Sequence, residues 1–369
     1  MAGLLQRLHA EQDQSPWLDN LQRRMVSDGS LGALVSRGVR GLTSNPTIFQ
    51  KAIQGSADYD DQFATLIAAG STPEDAYWEL VISDIRAAAN LFAALHRSSG
   101  GIDGHVSVEV DPRLAHDAAA TLREARALHE RVDMANVMIK IPATKEGLPA
   151  IRSMIAEGRN VNVTLIFGLD RYSDVMEAYI AGLEDRARAG HSLRGVASVA
   201  SFFISRVDSE VDTRLELSGS AQALALRGTA AVNQARLAYD AFVRTFAGPR
   251  WDALADQGAS VQRPLWASTS TKNPAYPDTL YVDSLIGPST VNTLPDATLD
   301  AFDNHGTVAR TVDADMDAVR KQWAELAAVG VDVADVAEKL EREGVSSFIK
   351  SFDDLMGALR DKAEAAGGI

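Results

Sequence analysis

Short apolar runs alternate with long stretches of helical periodicity about eight times along this chain. That rhythm narrows the fold more than anything else in the sequence. A strand followed by an amphipathic helix brings the chain back to start the next strand in the same direction, which builds a parallel sheet. The candidate strands are residues 15–21, 39–44, 105–110, 137–141, 160–167, 196–204, 264–268 and 284–286, the first of them also open to a helical reading. Helical patterns cover 77–97, 111–131, 145–157, 170–188, 224–246 and 313–329, and the clearest start is Thr72-Pro73-Glu74-Asp75, an N-cap, a first-turn proline and two acids. Eight strand and helix units predict an α/β fold, a single closed (β/α)8 TIM-type barrel. No glycine-rich nucleotide loop follows the early strands, which disfavours an open dinucleotide-binding sheet.

No Pro/Gly/Ser-rich linker, repeat or low-complexity tract divides the sequence, so one domain over 1–369 is expected. The stretch 217–262 is longer than a barrel connection requires and reads as an inserted helical segment, with a loop through Gly248-Pro249-Arg250-Trp251. Near the end, Val345, Phe348, Ile349, Phe352, Leu355, Met356 and Leu359 recur at helical spacing and predict a C-terminal helix packing on the barrel. Core packing is the plain reading of that stripe, and a lid across one barrel end is the alternative.

With 46% hydrophobic residues among 369, the chain can bury a large core. No run of 18 apolar residues occurs, and the first residues lack the apolar core of a signal peptide, so a cytoplasmic location without a membrane partner is expected. A net charge of −14 without a basic tract argues against nucleic acid as a partner. An anionic substrate must therefore be met by locally placed cations. The chain has no cysteine, which excludes thiol chemistry and disulfides, and its 7 histidines include no H-x-x-x-H pair. No metal is expected.

One lysine stands out. Val137-Met138-Ile139-Lys140-Ile141, closed by Pro142, has the composition of a buried strand, and an ammonium there is costly unless it loses its proton. A neutral buried amine is a nucleophile toward carbonyls. The plain alternative is a lysine that snorkels to the strand end.

Strand alternation sharpens the choice. Ser107 and Glu109 share one face of their strand, Asn160, Asn162 and Thr164 share one face of theirs, and Lys140 lies with Met138 and Pro142. Three successive strands thus carry polar groups on one face toward their C-terminal ends, where barrel active sites are built. Their chemistry is coherent: a lysine attacks a ketone, Glu109 and Thr164 manage the water that leaves, and a second carboxylate, Asp19 or Asp111, removes a hydroxyl proton. Asp111 opens a D-P-R helix start, so an N-cap is its stronger role. Arg206 and Lys272 follow strand ends and could hold a phosphate, although each taken singly reads more readily as a solvated surface charge.

Seven segments in order carry a family resemblance: S-P-W-L-D-N-L at 15–21, G-L-T-S-N-P-T-I-F at 41–49, V-S-V-E-V-D-P-R-L at 106–114, V-M-I-K-I-P-A-T-K-E-G at 137–147, N-V-N-V-T-L-I-F at 160–167, S-F-F-I-S-R-V-D at 201–208 and A-S-T-S-T-K-N-P at 267–274. In these the chain resembles the transaldolases of the longer bacterial type. The resemblance implies a class I aldolase barrel of the pentose phosphate pathway. It would move a dihydroxyacetone unit from sedoheptulose 7-phosphate to glyceraldehyde 3-phosphate, giving erythrose 4-phosphate and fructose 6-phosphate, without a cofactor. It implies that Lys140 forms the Schiff base, that Glu109 and Thr164 handle the catalytic water, and that Asp19 is the acid/base carboxylate. It further implies that Asn45, Asn162 and Ser201 bind the hydroxyls of the three-carbon unit, that Phe203 lines the pocket, and that Arg206 binds phosphate. Many members carry a second arginine where this chain offers Ser268 to Lys272, so Lys272 is the expected phosphate partner. Sugar phosphates are the expected partners of a monomer or homodimer. The alternatives are a fructose 6-phosphate aldolase and a catalytically silent sugar-phosphate-binding barrel.

Overall fold

Segments that are buried along their whole length become the strands, with β-branched residues most frequent in the middle ones. In a computed structural model, which describes residues 3–365, they are β1 (Gln14–Leu18), β2 (Gly41–Thr43), β3 (His105–Glu109), β4 (Val137–Pro142), β5 (Val161–Ile166), β6 (Ser198–Phe203), β7 (Arg263–Ala267) and β8 (Thr290–Leu294). All pair in parallel and in sequence order, and β8 closes on β1, so the sheet is a closed (β/α)8 barrel. No helix of the described residues is long and apolar enough to cross a membrane.

Five expected elements shift, among them the loop expected at 248–251, where Pro249 instead starts the helix Pro249–Ala255. The last strand is Thr290–Leu294, not 284–286, where Leu285 and Ile286 are buried in a loop after the short helix Leu280–Asp283. Burial without strand pairing produces the same apolar run, whereas the true strand reads T-V-N-T-L because polar groups are needed there. The first strand is Gln14–Leu18, not 15–21, and pairs with β8 along its whole length, from Gln14 with Thr290 to Leu18 with Leu294. The expected helix 111–131 divides into a 3-10 turn, Pro112–Leu114, and the helix Ala118–Val132, because Asp117 caps a second start by accepting from Ala120 N. The pattern at 224–246 breaks at Gly228, φ 71°, before the helix Ala230–Thr245. The helix start at Thr72 forms as expected, with its hydroxyl accepting from Asp75 N.

The N-terminal end of the barrel is closed by charge. Arg263 donates to Asp103 Oδ1 at 3.1 Å, to Ser15 Oγ at 2.7 Å and to the Thr290 carbonyl at 2.7 Å, while Arg40 donates to Asp103 Oδ2 at 2.6 Å. Further in, the fully buried Trp17 ring packs on Gly41, where a Cβ would stand 2.4 Å from Trp17 Cε2. Only glycine allows that approach.

Beyond the barrel, the helix Val333–Ala365 is about 50 Å long at 1.5 Å per residue. It packs on the helices Pro46–Gln54, Pro73–Ser98 and Ser205–Ser218 and reaches the end of β5. Ser351 shares a hydrogen bond with Thr47 at 2.8 Å, Arg171 pairs with Glu341 at 3.2 Å, and the Arg113 guanidinium lies 4.6 Å from the Phe352 ring centre. The apolar stripe of this helix is thus core packing and, as its position over β5 shows, also a cover at the C-terminal barrel mouth.

Candidate active site

Sheet register assembles the site. Glu109 pairs with Lys140 across β3 and β4, and Lys140 pairs with Asn162 across β4 and β5, so three neighbouring strands present these side chains on one rung. Lys140 Nζ lies 3.1 Å from Glu109 Oε2 and donates to the Ser44 carbonyl oxygen at 3.3 Å. Lys140 is 4% exposed, so it does not snorkel. Lys145, after the strand, is exposed.

The Lys140–Glu109 approach is an ion pair whose geometry falls short of a hydrogen bond, and both Glu109 oxygens lack a hydrogen-bond partner, as does the buried Thr164 hydroxyl. Unpartnered buried polar atoms are costly, so this cluster is built for a donor and acceptor that come from outside the chain, such as water or substrate. Burial pushes the Glu109 carboxyl above its ordinary value although Lys140 pulls it down. A carboxyl so placed can hold and return a proton.

Asp19 stands one residue beyond β1, its amide donating to the Leu294 carbonyl at 2.9 Å. Thr43 Oγ1 donates to Asp19 Oδ1 at 2.8 Å and lies 2.6 Å from Thr293 Oγ1. With the one Thr43 proton given to Asp19, the Thr293 hydroxyl must donate to Thr43. Burial raises the Asp19 carboxyl, opposed first by Lys140 and then by Thr43. Lys140 thus lies in the field of two carboxylates, both poised upward by burial.

The polar wall follows. Asn162 Nδ2 donates to Ser107 Oγ at 3.0 Å, and Ser201 Oγ donates to Asn162 Oδ1 at 2.7 Å, which fixes the amide's orientation. Asn45 caps the helix Pro46–Gln54, its Oδ1 accepting from Ile48 N at 2.9 Å, so only its Nδ2 is left to donate to a ligand. Asp111 also caps, accepting from Arg113 N, as the D-P-R start predicts. Phe203 closes one side, its ring 5.0 Å from that of Phe167.

Two cations stand above this wall. Arg206 lies over the Phe203 ring at 5.4 Å, and Lys272 donates to Ser270 Oγ at 2.6 Å. Neither has an ion-pair partner among the described residues, burial lowers both from their ordinary values, and the charge of Arg206 depresses Lys272 further. An anion would relieve both. Ser268 is in the left-handed region at φ 56° and shares a hydrogen bond with Ser205 at 2.9 Å, tying the ends of β7 and β6 together. Leu165, at φ 60°, sits in a bulge directly after Thr164. Two strained non-glycine residues therefore bracket the mouth.

The structure brings Lys140, Glu109, Asp19, Thr164, Asn162 and Ser201 to one end of the barrel, with Asn45, Phe203, Arg206, Ser268 and Lys272 around its rim. Sequence reasoning missed Thr43, the Ser44 carbonyl and Thr293. Thr43 and Ser44 lie inside the G-L-T-S-N-P segment, while Thr293 was lost with the misplaced last strand. Among the described residues no three His, Cys, Asp or Glu side chains are grouped to hold a metal.

A closed parallel barrel with a buried lysine against the Glu109 carboxylate, in the field of Asp19, at its C-terminal mouth defines an enzyme of the lysine-dependent barrel class. The family described as Transaldolase/Fructose-6-phosphate aldolase matches residues 16–359. The chain is 52% identical over 368 residues to Transaldolase 1 of Streptomyces coelicolor, covering 99% of this chain and 96% of that one. It is 51% identical over 353 residues to the transaldolase of Frankia alni and 50% identical over 351 residues to that of Thermobifida fusca, covering 95% of each chain in both cases. The chain belongs to the Transaldolase/Fructose-6-phosphate aldolase family.

Proposed function

We propose that the chain is a transaldolase, a transferase that carries a dihydroxyacetone unit from a ketose phosphate to an aldose phosphate. The usual pair would be sedoheptulose 7-phosphate and glyceraldehyde 3-phosphate, in the pentose phosphate pathway of the cytoplasm. The observation that carries this reading is the rung Glu109–Lys140–Asn162, with Lys140 Nζ 3.1 Å from one carboxylate and in the field of a second.

Lys140 attacks the donor ketone as the free amine, its proton passing to the adjacent Glu109. The carbinolamine hydroxyl leaves as water on a proton returned by Glu109, with Thr164 orienting that water. The resulting iminium is the electron sink. Asp19 takes the proton of the hydroxyl on the fourth carbon, the bond between the third and fourth carbons breaks, and the aldose phosphate departs. The enamine stays bound, held through its hydroxyls by Asn45, Asn162 and Ser201, until an acceptor aldehyde arrives and the steps reverse. Arg206 and Lys272 hold the phosphate at the rim, Arg206 by its fork and Lys272 as a point charge.

Trapping tests the reading directly. Borohydride in the presence of fructose 6-phosphate should fix a dihydroxyacetone-sized adduct on Lys140, located by peptide mass spectrometry, and Lys140→Ala should abolish it. An adduct on no lysine, with sugar phosphate still bound, would leave a silent binding barrel. Free dihydroxyacetone as the main product without an acceptor would favour the aldolase activity that the family's description also names.

A further inference from the structure

We infer that Phe348, on the C-terminal helix, roofs the Schiff-base nitrogen and decides whether the bound three-carbon unit is transferred or lost. The inference rests on the transfer reading above and adds to it a residue from outside the barrel strands.

Lys140 Nζ lies 5.8 Å from the centre of the Phe348 ring, within the range of a cation–π contact. Phe348 is 3% exposed, so its ring is a packed surface and not a mobile side chain. The helix that carries it is fixed on both sides of this point. One turn earlier Gly344 sits against the β5 end, where a Cβ would be 3.0 Å from Leu165 Cδ2, and one turn later Phe352 packs edge-on to Tyr77 at 5.4 Å. Ser351 is hydrogen-bonded to Thr47, which follows the cap of the helix Pro46–Gln54. A Cβ at Gly344 would press on the Leu165 and Phe167 side chains at 3.0 and 3.3 Å, so the glycine lets the helix seat closely on the bulge.

The ring acts in two ways. Its face is attracted to positive charge, so the contact favours the nitrogen as ammonium and again as iminium, the charged states on either side of the neutral amine and carbinolamine. It also occupies space from which water would reach the enamine. Loss of the unit requires that the enamine carbon take a proton, which regenerates the iminium. Water then adds to the iminium carbon and the carbon–nitrogen bond breaks, releasing dihydroxyacetone and the free amine of Lys140. Both the proton delivery and the hydrolysis need water at the covered face. Phe203 guards the pocket from the β6 side, and Phe348 guards it from the helix side.

The test is the ratio of dihydroxyacetone released to erythrose 4-phosphate converted, measured with fructose 6-phosphate as donor in the full-length protein. This ratio does not depend on the fraction of folded enzyme. Phe348→Ala should raise it about tenfold, and Phe348→Leu, which keeps apolar bulk but no aromatic face, should raise it less while slowing adduct formation. Phe352→Leu, which loosens the same helix one turn away and does not touch Lys140, should leave the ratio at the wild-type value. An unchanged ratio in Phe348→Ala, or an equal rise in Phe352→Leu, overturns the inference. If the wild type itself releases dihydroxyacetone as its main product, the transfer reading falls first and Phe348 with it.

Discussion

Replacing Asp103 by asparagine should destabilise the fold severely and leave the chemistry untouched. The Asp103 side chain is 1% exposed and bridges Arg40 and Arg263 at the N-terminal barrel end. Burial by itself pushes its carboxyl up, but Arg263 and Arg40 outweigh burial and hold it at about 2, against an ordinary 3.8. That difference corresponds to about 2 kcal/mol of stability at neutral pH. Asp103→Asn removes it and also strands two guanidinium groups, of which Arg263 is buried, so the full loss is about 3–5 kcal/mol. Urea unfolding followed by the fluorescence of the 5 tryptophans reads this as a lower midpoint at pH 7. Transfer activity per folded molecule should stay within about twofold, since residues at this end of a barrel serve stability and not catalysis. The folded pKa lies below the unfolded one, so the contribution is complete above pH 3.8 and drains away as pH falls toward 2. The wild type should lose stability through that window more steeply than the variant. A variant within 1 kcal/mol of wild type at neutral pH, on the order of an exposed ion pair, would falsify the buried-bridge account.

Three further outcomes follow from the site and its supports. Thr43→Val removes a hydrogen bond to the charged form of Asp19, so the acidic limb of kcat/KM should move to higher pH, and Thr43→Ser should restore it; an unmoved limb would show that the hydroxyl pair with Thr293 is only packing. Glu109→Gln keeps the shape but cannot shuttle the proton, so single-turnover adduct formation on Lys140 should slow by about 10²–10⁴-fold, and a loss under about tenfold would remove Glu109 from the water-handling role. Gly41→Ala places a Cβ 2.4 Å from Trp17 Cε2 and should cost about 1–3 kcal/mol, seen as a Tm lowered by several degrees; an unchanged Tm would mean that Trp17 repacks freely.

The barrel was legible because strand and helix periodicities repeat, and because strand alternation separates Lys140, Glu109 and Asn162 from their apolar neighbours. What escaped did so for physical reasons. Buried loops are as apolar as strands, so Leu285 and Ile286 imitated the last strand while Thr293 and its partners, polar because they serve the site, did not look like one. The His116-Asp117 break inside the pattern 111–131 is a cap signal that apolar periodicity masks. The pairing of Thr43 with both Asp19 and Thr293 joins residues 24 and 250 positions away, and no local pattern records such distances. Phe348 appeared in the C-terminal stripe as one apolar residue among seven, because periodicity says which face is buried and not what it is buried against.

Glu109, Lys140 and Asn162 share a rung of the sheet, whereas Arg206 and Lys272 stand on segments beyond the strand ends. Natural variation can therefore act on the two parts independently. On the proposed reading, the helix start after β6 or the loop after β7 can exchange its cation and so alter which phosphate-bearing partner is welcomed, while Glu109, Lys140 and Asn162 keep the spacing that backbone hydrogen bonds impose. A change within the strands has no such latitude, since a slip of one residue turns every functional side chain to the wrong side. The barrel thus separates what a lineage is free to rewrite from what it must copy unchanged.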